Sequence, residues 1–396
     1  MKGLMTEHYL HGVEVLEIDD GARVIQTASS SVIGLVGTAP LADATTYPLN
    51  TPVLIPGSTA MAATLGTAGT LPQAMDSIFD QIGAAVIVVR IEDSVDETQR
   101  LSHAVGGINA ANGTYEGVHA LLAAENITGY KPRLLIAPGL THQRPEQTQA
   151  NPVVSELIGI AERLRAIIIA DGPGTTDAQA IAYAGDFGSK RVFLVDPRIT
   201  TLGADGTTIT AYSSAAVAGL IAKIDNRNGW WWSPSNQPIN GILGTSRPID
   251  FALGDATSRA NLLNEKKIAT IIRHDGYRLW GNRTLSSDPK WTYLCVVRIA
   301  DIIADSLQAA HLWAVDRSIT KTYASDVEEG VNAYLRRLKS LGAIINGRCW
   351  ADTALNTKDA ITAGHVYFNF DFTPAYPAEH ITFRSRLTSD YLVEVF

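Results

Sequence analysis

The sequence predicts two structural classes in one chain, an α/β region over residues 31–240 and an α+β region over residues 241–396. Two observations carry this prediction. Apolar runs of strand length alternate with helical segments in the first region, which is typical of an open and mainly parallel sheet. In the second region, two long amphipathic helices are accompanied by strands whose polarity alternates residue by residue. Residues 1–30 precede both regions and are predicted to form an extended arm.

The α/β region contains strands that are apolar on both faces. The clearest is Ala84–Ile91, AAVIVVRI, whose unbroken apolar run is expected of a parallel strand covered by helices on both sides. Helical spacing of apolar side chains is equally clear in Leu71–Ile82. The other elements predicted here are strands Ser31–Val36 and Pro52–Ile55, helix Gly117–Glu125, strand Arg133–Ala137, helix Pro152–Leu164, strand Ala166–Ala170, helix Thr176–Ala184, strand Arg191–Val195 and helix Ser213–Asn226.

A hairpin and two helices define the α+β region. Asp275-Gly276 is the dipeptide expected at a tight hairpin turn, and it follows the predicted strand Ile268–Ile272. Helix Ser325–Leu341 is predicted to begin with a capping box from Ser325 to Glu328. The remaining predicted elements are helix Cys295–Val315 and strands Pro248–Leu253, Ala343–Trp350, Val366–Phe372, Ile381–Leu387 and Tyr391–Phe396.

Composition narrows the classes of function. Charged residues make up 18% of the chain, below the roughly 25% of typical soluble domains. Such a surface suits a protein that buries much of itself against its own copies, but it also occurs in large monomeric enzymes. With a net charge of −8 and no run of Lys or Arg, direct contact with nucleic acid is not expected. No apolar run approaches the ~18 residues of a membrane span, so membrane insertion is not expected either. Cys295 and Cys349 lie in apolar surroundings and are predicted to be buried, reduced thiols.

No complete catalytic, cofactor or metal motif occurs in the sequence. Gly34–Gly37 follows a strand but lacks the spacing of a dinucleotide loop and the lysine of a phosphate loop. Asp171–Gly174 lies at a strand end, where open α/β sheets bind ligands, without a second charged group at motif spacing. His274 and Asp275, beside two arginines, could bind an anion or supply a base, although the turn explains Asp275 equally well. We predict no catalytic, cofactor-binding or metal-binding residue. The alternative is a cytosolic α/β enzyme with a ligand at the C-terminal ends of its strands.

Both ends of the chain have the pattern of strands. Val13 and Val15 alternate with polar residues, and Tyr391–Phe396 is rich in β-forming residues up to an apolar last residue. An isolated strand cannot bury a face of its own, and an unpaired apolar strand promotes aggregation. We therefore expect both ends to be covered in the working state, by a sheet of the same chain or by a neighbouring chain.

The segment Gly276–Asp288, GYRLWGNRTLSSD, resembles the signature of contractile tail sheath proteins, the subunits that surround the tube of contractile phage tails and R-type bacteriocins. Two weaker resemblances occur in the family's order, HGVEV at residues 11–15 and VIGLVGTAP at residues 32–40. The residues that form the structural motif are Gly276, Trp280, Gly281, Asn282, Arg283 and Thr284.

This resemblance implies a fold and a function. The fold is an inner α+β domain built from both ends of the chain, residues 1–30 and 241–396, with an outer α/β domain inserted at residues 31–240 and extended terminal β-arms. The function is that of a structural subunit, which forms stacked hexameric rings around the tail tube and contracts to drive the tube through the host envelope during genome ejection. No cofactor is implied. The implied partners are other copies of the chain, the tail tube protein, and the baseplate and tail terminator proteins. The implied location is the virion tail, assembled in the host cytoplasm, and a non-contractile capsid or tube component is a further alternative.

Two sets of contact residues follow from the resemblance together with the patterns above. Tube contact is expected at the cationic end of the second long helix, although a solvated helix end is an equal interpretation of these charges. That set consists of Arg336, Arg337 and Lys339. Contact between sheath subunits is expected at the two strand-like termini. That set consists of Val13, Val15, Tyr391, Val393, Val395 and Phe396.

Overall fold

An eight-stranded sheet organises the computed structural model, which describes residues 25–203 and 206–395, apart from the side chains of Val393 and Val395. The sheet contains six of the strands expected from the α/β region and the two strands of the predicted hairpin. In chain order they are β1 (Ile33–Thr38), β2 (Pro52–Pro56), β3 (Ala85–Ile91), β4 (Leu134–Ile136), β5 (Ile167–Asp171), β6 (Val192–Val195), β7 (Ile268–Arg273) and β8 (Tyr277–Trp280).

The spatial order of the strands is β8-β7-β6-β5-β4-β1-β3-β2. The six central strands are parallel, with Ile33 opposite Val86 on one side and opposite Leu134 on the other. The two edge strands, β2 and β8, run antiparallel to their neighbours. The strand order changes direction at β1, as in doubly wound α/β folds.

Helices cover both faces of this sheet. Side chains of successive strand residues point to opposite faces, and in these strands both sets are apolar and need to be covered. In β5, Ile167 and Ile169 belong to one apolar core, and Ile168 and Ala170 belong to the other. The predicted α/β class is therefore confirmed. The helices among the described residues are α1 (Thr59–Ala63), α2 (Thr70–Phe79), α3 (Glu97–Val105), α4 (Ala124–Thr128), α5 (Pro152–Leu164), α6 (Asp177–Ala184), α7 (Ser213–Asn228), α8 (Arg259–Glu265), α9 (Leu294–Ala310), α10 (Lys321–Ser340) and α11 (Lys358–Thr362).

Short elements complete the description. A three-stranded sheet contains Ile199–Leu202, Thr208–Ala211 and Gly244–Thr245, and Gly107–Ile108 pairs with Tyr115–Glu116. The 3-10 segments are Gly117–Ala123, Pro145–Gln147, Pro289–Trp291, Leu312–Ala314 and Asp390–Val395. None of the helices built from described residues is long and apolar enough to cross a membrane.

The chain divides into two compact units, and the division does not follow the predicted boundary at residue 240. One unit comprises Thr27–Asp305 with the C-terminal segment from Pro374, and the other contains Ser306–Thr373. The sheet extends beyond residue 240 because β7 pairs with β6, with Ile268 opposite Leu194. The predicted boundary at residue 240 therefore falls at a connection within one unit.

The second unit packs one long helix on a small sheet. The helix α10 buries an apolar face that includes Val331, Leu335 and Leu338, and β9 (Ile344–Ala351) pairs with β10 (Phe368–Pro374). The start predicted at Ser325 is wrong by about one turn. The hydroxyl of Thr320 instead accepts a hydrogen bond from the backbone N of Tyr323 at 3.1 Å and caps the helix.

Candidate assembly surfaces

The segment Gly276–Asp288 begins with the predicted hairpin turn. Asp275 and Gly276 both have left-handed backbone angles, with φ values of 50° and 90°. Arg273 pairs with Tyr277 across the turn. The Nε of Arg278 donates to the carbonyl of His274 at 2.9 Å, so the arginine braces the turn. The predicted hairpin is confirmed, and this arginine has a structural partner.

Close approach of two backbones explains Gly281. Its φ of 130° is rarely adopted by residues with a side chain, and a Cβ at this position would meet the Cα of Ala269 at 2.8 Å. The neighbouring Trp280 packs edge-on against Phe251, with ring centroids 4.8 Å apart. The backbone N of Gly281 donates to the hydroxyl of Ser235 at 3.0 Å. The segment is therefore fixed to the edge of the sheet.

Asn282 and Thr284 connect the end of the sheet to the start of α9. The carbonyl of Asn282 accepts a hydrogen bond from the backbone N of Leu294 at 2.9 Å. The hydroxyl of Thr284 donates to the carbonyl of Trp291 at 2.8 Å, and its backbone N donates to the carbonyl of Thr292 at 2.7 Å. Both side chains are buried. The segment thus closes a loop of fixed geometry.

Arg283, between these two buried residues, contacts the C-terminal segment. Its Nε lies 2.8 Å from Oε1 of Glu379 and its Nη2 lies 2.6 Å from Oε2, which is the bidentate geometry of a strong ion pair. The hydroxyl of Tyr293 donates to the same Oε2 at 3.2 Å, and its ring packs edge-on against Tyr376. The carboxylate raises the pKa of Arg283 through its hydrogen bond. Sequence reasoning did not find the partner because the two residues are 96 positions apart.

Beyond this contact, the C-terminal segment is exposed. Ile381, Phe383 and Leu387 are 65%, 92% and 102% exposed, and the strand predicted over Ile381–Leu387 is not formed. The strand predicted over Tyr391–Phe396 is also wrong for the single chain, because Asp390–Val395 forms a 3-10 segment. A strand needs an edge to pair with, and without one the backbone makes local turn hydrogen bonds.

The subunit-contact residues named from the sequence are therefore only partly described. Tyr391 is exposed in the 3-10 segment, and Val393 and Val395 lie in the same segment. Val13, Val15 and Phe396 lie outside the described residues. Their contacts stay predictions.

The predicted tube-contact residues lie together at the exposed end of α10. Arg336, Arg337 and Lys339 are all exposed, whereas Leu338 between them is buried. The Nζ of Lys339 lies 3.3 Å from Oδ1 of Asn346. The geometry gives a cationic surface opposite the apolar face of the helix.

An ion-pair network that the sequence reading missed fixes α9 to the sheet. Asp301 pairs with Arg191, and Asp305 pairs with Arg133 and Arg165. The three arginines stand just before the parallel strands β6, β4 and β5, so they lie at one edge of the sheet. Asp301 and Asp305 are one helical turn apart, so they share a face of α9. Charges at this spacing in an otherwise apolar helix are the signal by which sequence reasoning could have found the network.

A second contact of α9 involves the helix α7. Arg298 pairs with Asp225, whose carboxylate also accepts hydrogen bonds from the hydroxyls of Ser30 at 3.1 Å and Ser31 at 2.9 Å. Both side chains of the ion pair are nearly inaccessible to water. This contact connects the segment that leads into β1 with α7 and α9.

The strand ends considered for a ligand are occupied by the protein itself. The carboxylate of Asp171, 1% exposed, accepts from the backbone N of Ser214 at 2.8 Å and from its hydroxyl at 2.6 Å. Burial raises the pKa of Asp171 to about 6. At Gly37, an added Cβ would meet the hydroxyl of Thr70 at 2.4 Å, so α2 fills the space above β1. These contacts assign both positions to structural support.

Three family models match consecutive parts of the chain. They are the tail sheath protein Gp18 domain III N-terminal region over residues 30–91, the phage tail sheath protein central domain over residues 113–285, and the phage tail sheath C-terminal domain over residues 286–388. The segment Gly276–Asp288 spans the junction of the last two models.

Relatives and solved structures agree with these matches. A putative prophage major tail sheath protein of Pseudomonas aeruginosa is 46% identical, and the tail sheath protein of Escherichia phage P2 is 39% identical, each match covering 98% of both chains. The contracted helical sheath of the anti-feeding prophage has the same fold, with a TM-score of 0.71 and 21% identity over 97% of this chain and 100% of that chain. The contracted sheath of the extracellular contractile injection system PVC gives a TM-score of 0.68 and 16% identity over 98% and 99%. The chain therefore belongs to the phage tail sheath family and is a structural subunit of a contractile tail sheath.

Proposed function

We propose that this subunit assembles as stacked hexameric rings around a tail tube, and that contraction of the rings drives the tube through the host envelope during genome ejection. The partners are further copies of the chain, the tail tube protein, and the baseplate and tail terminator proteins. Assembly takes place in the host cytoplasm. A purely structural role is proposed, and it is supported at two strand-end positions among the described residues, Asp171 and Gly37, which are both enclosed by other parts of the protein.

The observation that carries the proposal is the exposed segment from Ile381 to Leu392. It has alternating apolar side chains at Ile381 and Phe383, and it forms no strand with any described part of its own chain. An extended apolar segment of this kind suits strand addition to the sheet of another subunit, which provides backbone hydrogen bonds. The same role is proposed for Val13 and Val15 in the N-terminal arm.

The cationic end of α10 is proposed to contact the tube. The part of the chain that carries this helix end, Ser306–Thr373, would then be the part that faces the tube. An exposed ion pair is worth only about 0–1 kcal/mol, but one contact per subunit is repeated in every ring. A weak contact per subunit also suits a surface that must release during contraction.

Expression of the chain alone tests the assembly proposal. Negative-stain microscopy is expected to show long hollow cylinders, and a variant without residues 381–396 is expected to stay folded without forming them. An enzyme would instead elute as a small closed oligomer. Normal cylinders from the truncated variant would refute the role of the C-terminal segment.

Charge reversal tests the tube contact. The variant Arg336→Glu with Arg337→Glu is expected to release tubes from sheaths at lower salt than the unchanged protein, measured by co-sedimentation. The matched control reverses Arg163 and Arg227, which are also exposed and also lie in the last turns of helices. Equal salt sensitivity of both variants would contradict a specific tube contact.

A further inference from the structure

The C-terminal segment keeps side-chain contacts with the rest of its chain up to Glu379, although Ala378, Glu379 and His380 are already exposed as whole residues. Pro374 is buried, and Tyr376 packs against Tyr293 of the body of the subunit. From Ile381 to Leu387 every residue is exposed, and the segment forms no regular structure. The contact made by Glu379 is the last ion pair of this segment among the residues that the structure describes.

We propose that Arg283, Tyr293 and Glu379 form a C-terminal anchor, which fixes residues 374–380 to their own subunit so that the arm offered to a neighbouring subunit begins at Ile381. This inference rests on the proposed exchange of the C-terminal arm. It assigns a role in assembly to Arg283 of the signature segment.

The anchor is held by a rigid support. The residues on either side of Arg283 are buried. Through its backbone, Asn282 is hydrogen-bonded to the start of α9, and Thr284 is hydrogen-bonded to Thr292 just before that helix. The guanidinium group therefore projects from a backbone that is fixed on both sides. Two hydrogen bonds to one carboxylate also fix the orientation of Glu379, which a single contact would not do.

The contacts of the anchor suit an attachment that must resist a pull on the C-terminal arm. Tyr293 also donates a hydrogen bond to the same carboxylate, so Glu379 is held by two different side chains. A pull on an arm captured by a neighbour would be passed through Glu379 to Arg283, and from there to the sheet edge at Gly281. Without the anchor, the same pull would act directly on the stretch that connects Glu379 to β10.

Spin labels on the full-length chain test the anchor, because Cys295 and Cys349 are buried and a label will attach to an introduced cysteine. Labels are placed at Ala378→Cys, inside the anchored stretch, and at Ser385→Cys, beyond it. In subunits that have not assembled, the label at position 378 is expected to be restrained and the label at position 385 mobile. In cylinders, the label at position 385 is expected to become restrained as well.

The variant Glu379→Gln is expected to raise the detached fraction of the stretch at position 378 by up to roughly fivefold, the change that loss of one partly exposed ion pair produces. The exchanged pair Arg283→Glu with Glu379→Arg is expected to restore the restraint. The matched control Asp390→Asn removes a carboxylate beyond Ile381 and is expected to leave the label at position 378 unchanged.

The outcomes distinguish the anchor from the exchange of the C-terminal arm between subunits. A label at position 378 that is mobile in the unchanged protein, or that Glu379→Gln does not release, would overturn the anchor without touching arm exchange. A label at position 385 that stays mobile in cylinders would refute arm exchange, while a restrained position 378 would still support the anchor.

Discussion

Removing the carboxylate of Asp225 is the sharpest test of how the α/β unit is held together. This group accepts hydrogen bonds from Arg298, Ser30 and Ser31, and Asp225 and Arg298 are 2% and 5% exposed. The change Asp225→Ala leaves a buried guanidinium group without its counter-ion, which costs about 3–5 kcal/mol. Because Arg298 keeps its hydrogen bond to the carbonyl of Trp230 at 3.3 Å, we expect the lower end of that range.

Thermal unfolding of unassembled subunits measures this cost. A loss of about 3 kcal/mol corresponds to a melting temperature lower by roughly 6–12 °C, on the scale of domains of 150–250 residues. The double variant Asp225→Ala with Arg298→Leu is the control, since removing both charges is expected to recover part of the stability. A shift below roughly 2 °C for the single variant, or no recovery in the double variant, would refute the reasoning.

Three further predictions concern other parts of the chain. Burial raises the pKa of Asp171 to about 6, from 3.8 in the unfolded chain, so its contribution to stability is complete below pH 3.8 and is lost as the pH rises through 6. Measured by denaturant unfolding and compared with the variant Asp171→Asn, the native protein should lose about 3 kcal/mol of stability between these two pH values. The change Gly281→Ala is expected to cost about 1–3 kcal/mol more than Gly276→Ala, because both positions have positive φ but only Gly281 has a backbone atom in the way. Burial raises the pKa of Cys295 and of Cys349 to about 11, so both thiols should react with a thiol reagent at pH 8 only after unfolding.

The sheet was largely predictable because each of its strands has a recognisable pattern in its own local sequence. A run such as Ala84–Ile91 has no polar residue until Arg90, and its strand length and β-branched residues favour a strand covered on both faces. The strand predicted over Pro248–Leu253 is wrong, because that prediction also relied on local apolar character. Its apolar Phe251 packs against Trp280 in an irregular stretch, so the apolar character reflects a tertiary contact and no strand is formed there.

Pairings between distant residues were not predictable in the same way. That β7 continues the sheet beside β6 depends on a contact between Ile268 and Leu194, which no local pattern reveals. The pairs Arg283–Glu379 and Arg298–Asp225 are of the same kind, since each side chain alone is a plausible surface charge. The strands expected at the C-terminal end depend on an edge for pairing, and in the single chain Asp390–Val395 forms a 3-10 segment and pairs with none of the described strands.

The charged contacts of α9 fix the position of this helix on the sheet, which suits a subunit that transmits force. The hydrophobic effect is not directional, so apolar burial by itself does not specify one register of a helix as strictly as paired charges do. The pairs of Asp301 with Arg191 and of Asp305 with Arg133 lie one turn apart, so they are satisfied in one register of the helix only. Buried ion pairs add little net stability over apolar packing, and what they provide here is a fixed position. A helix held in this way at the edge of three parallel strands cannot shift along the sheet without exposing unpaired charge, so force on α9 would move the α/β unit as a whole.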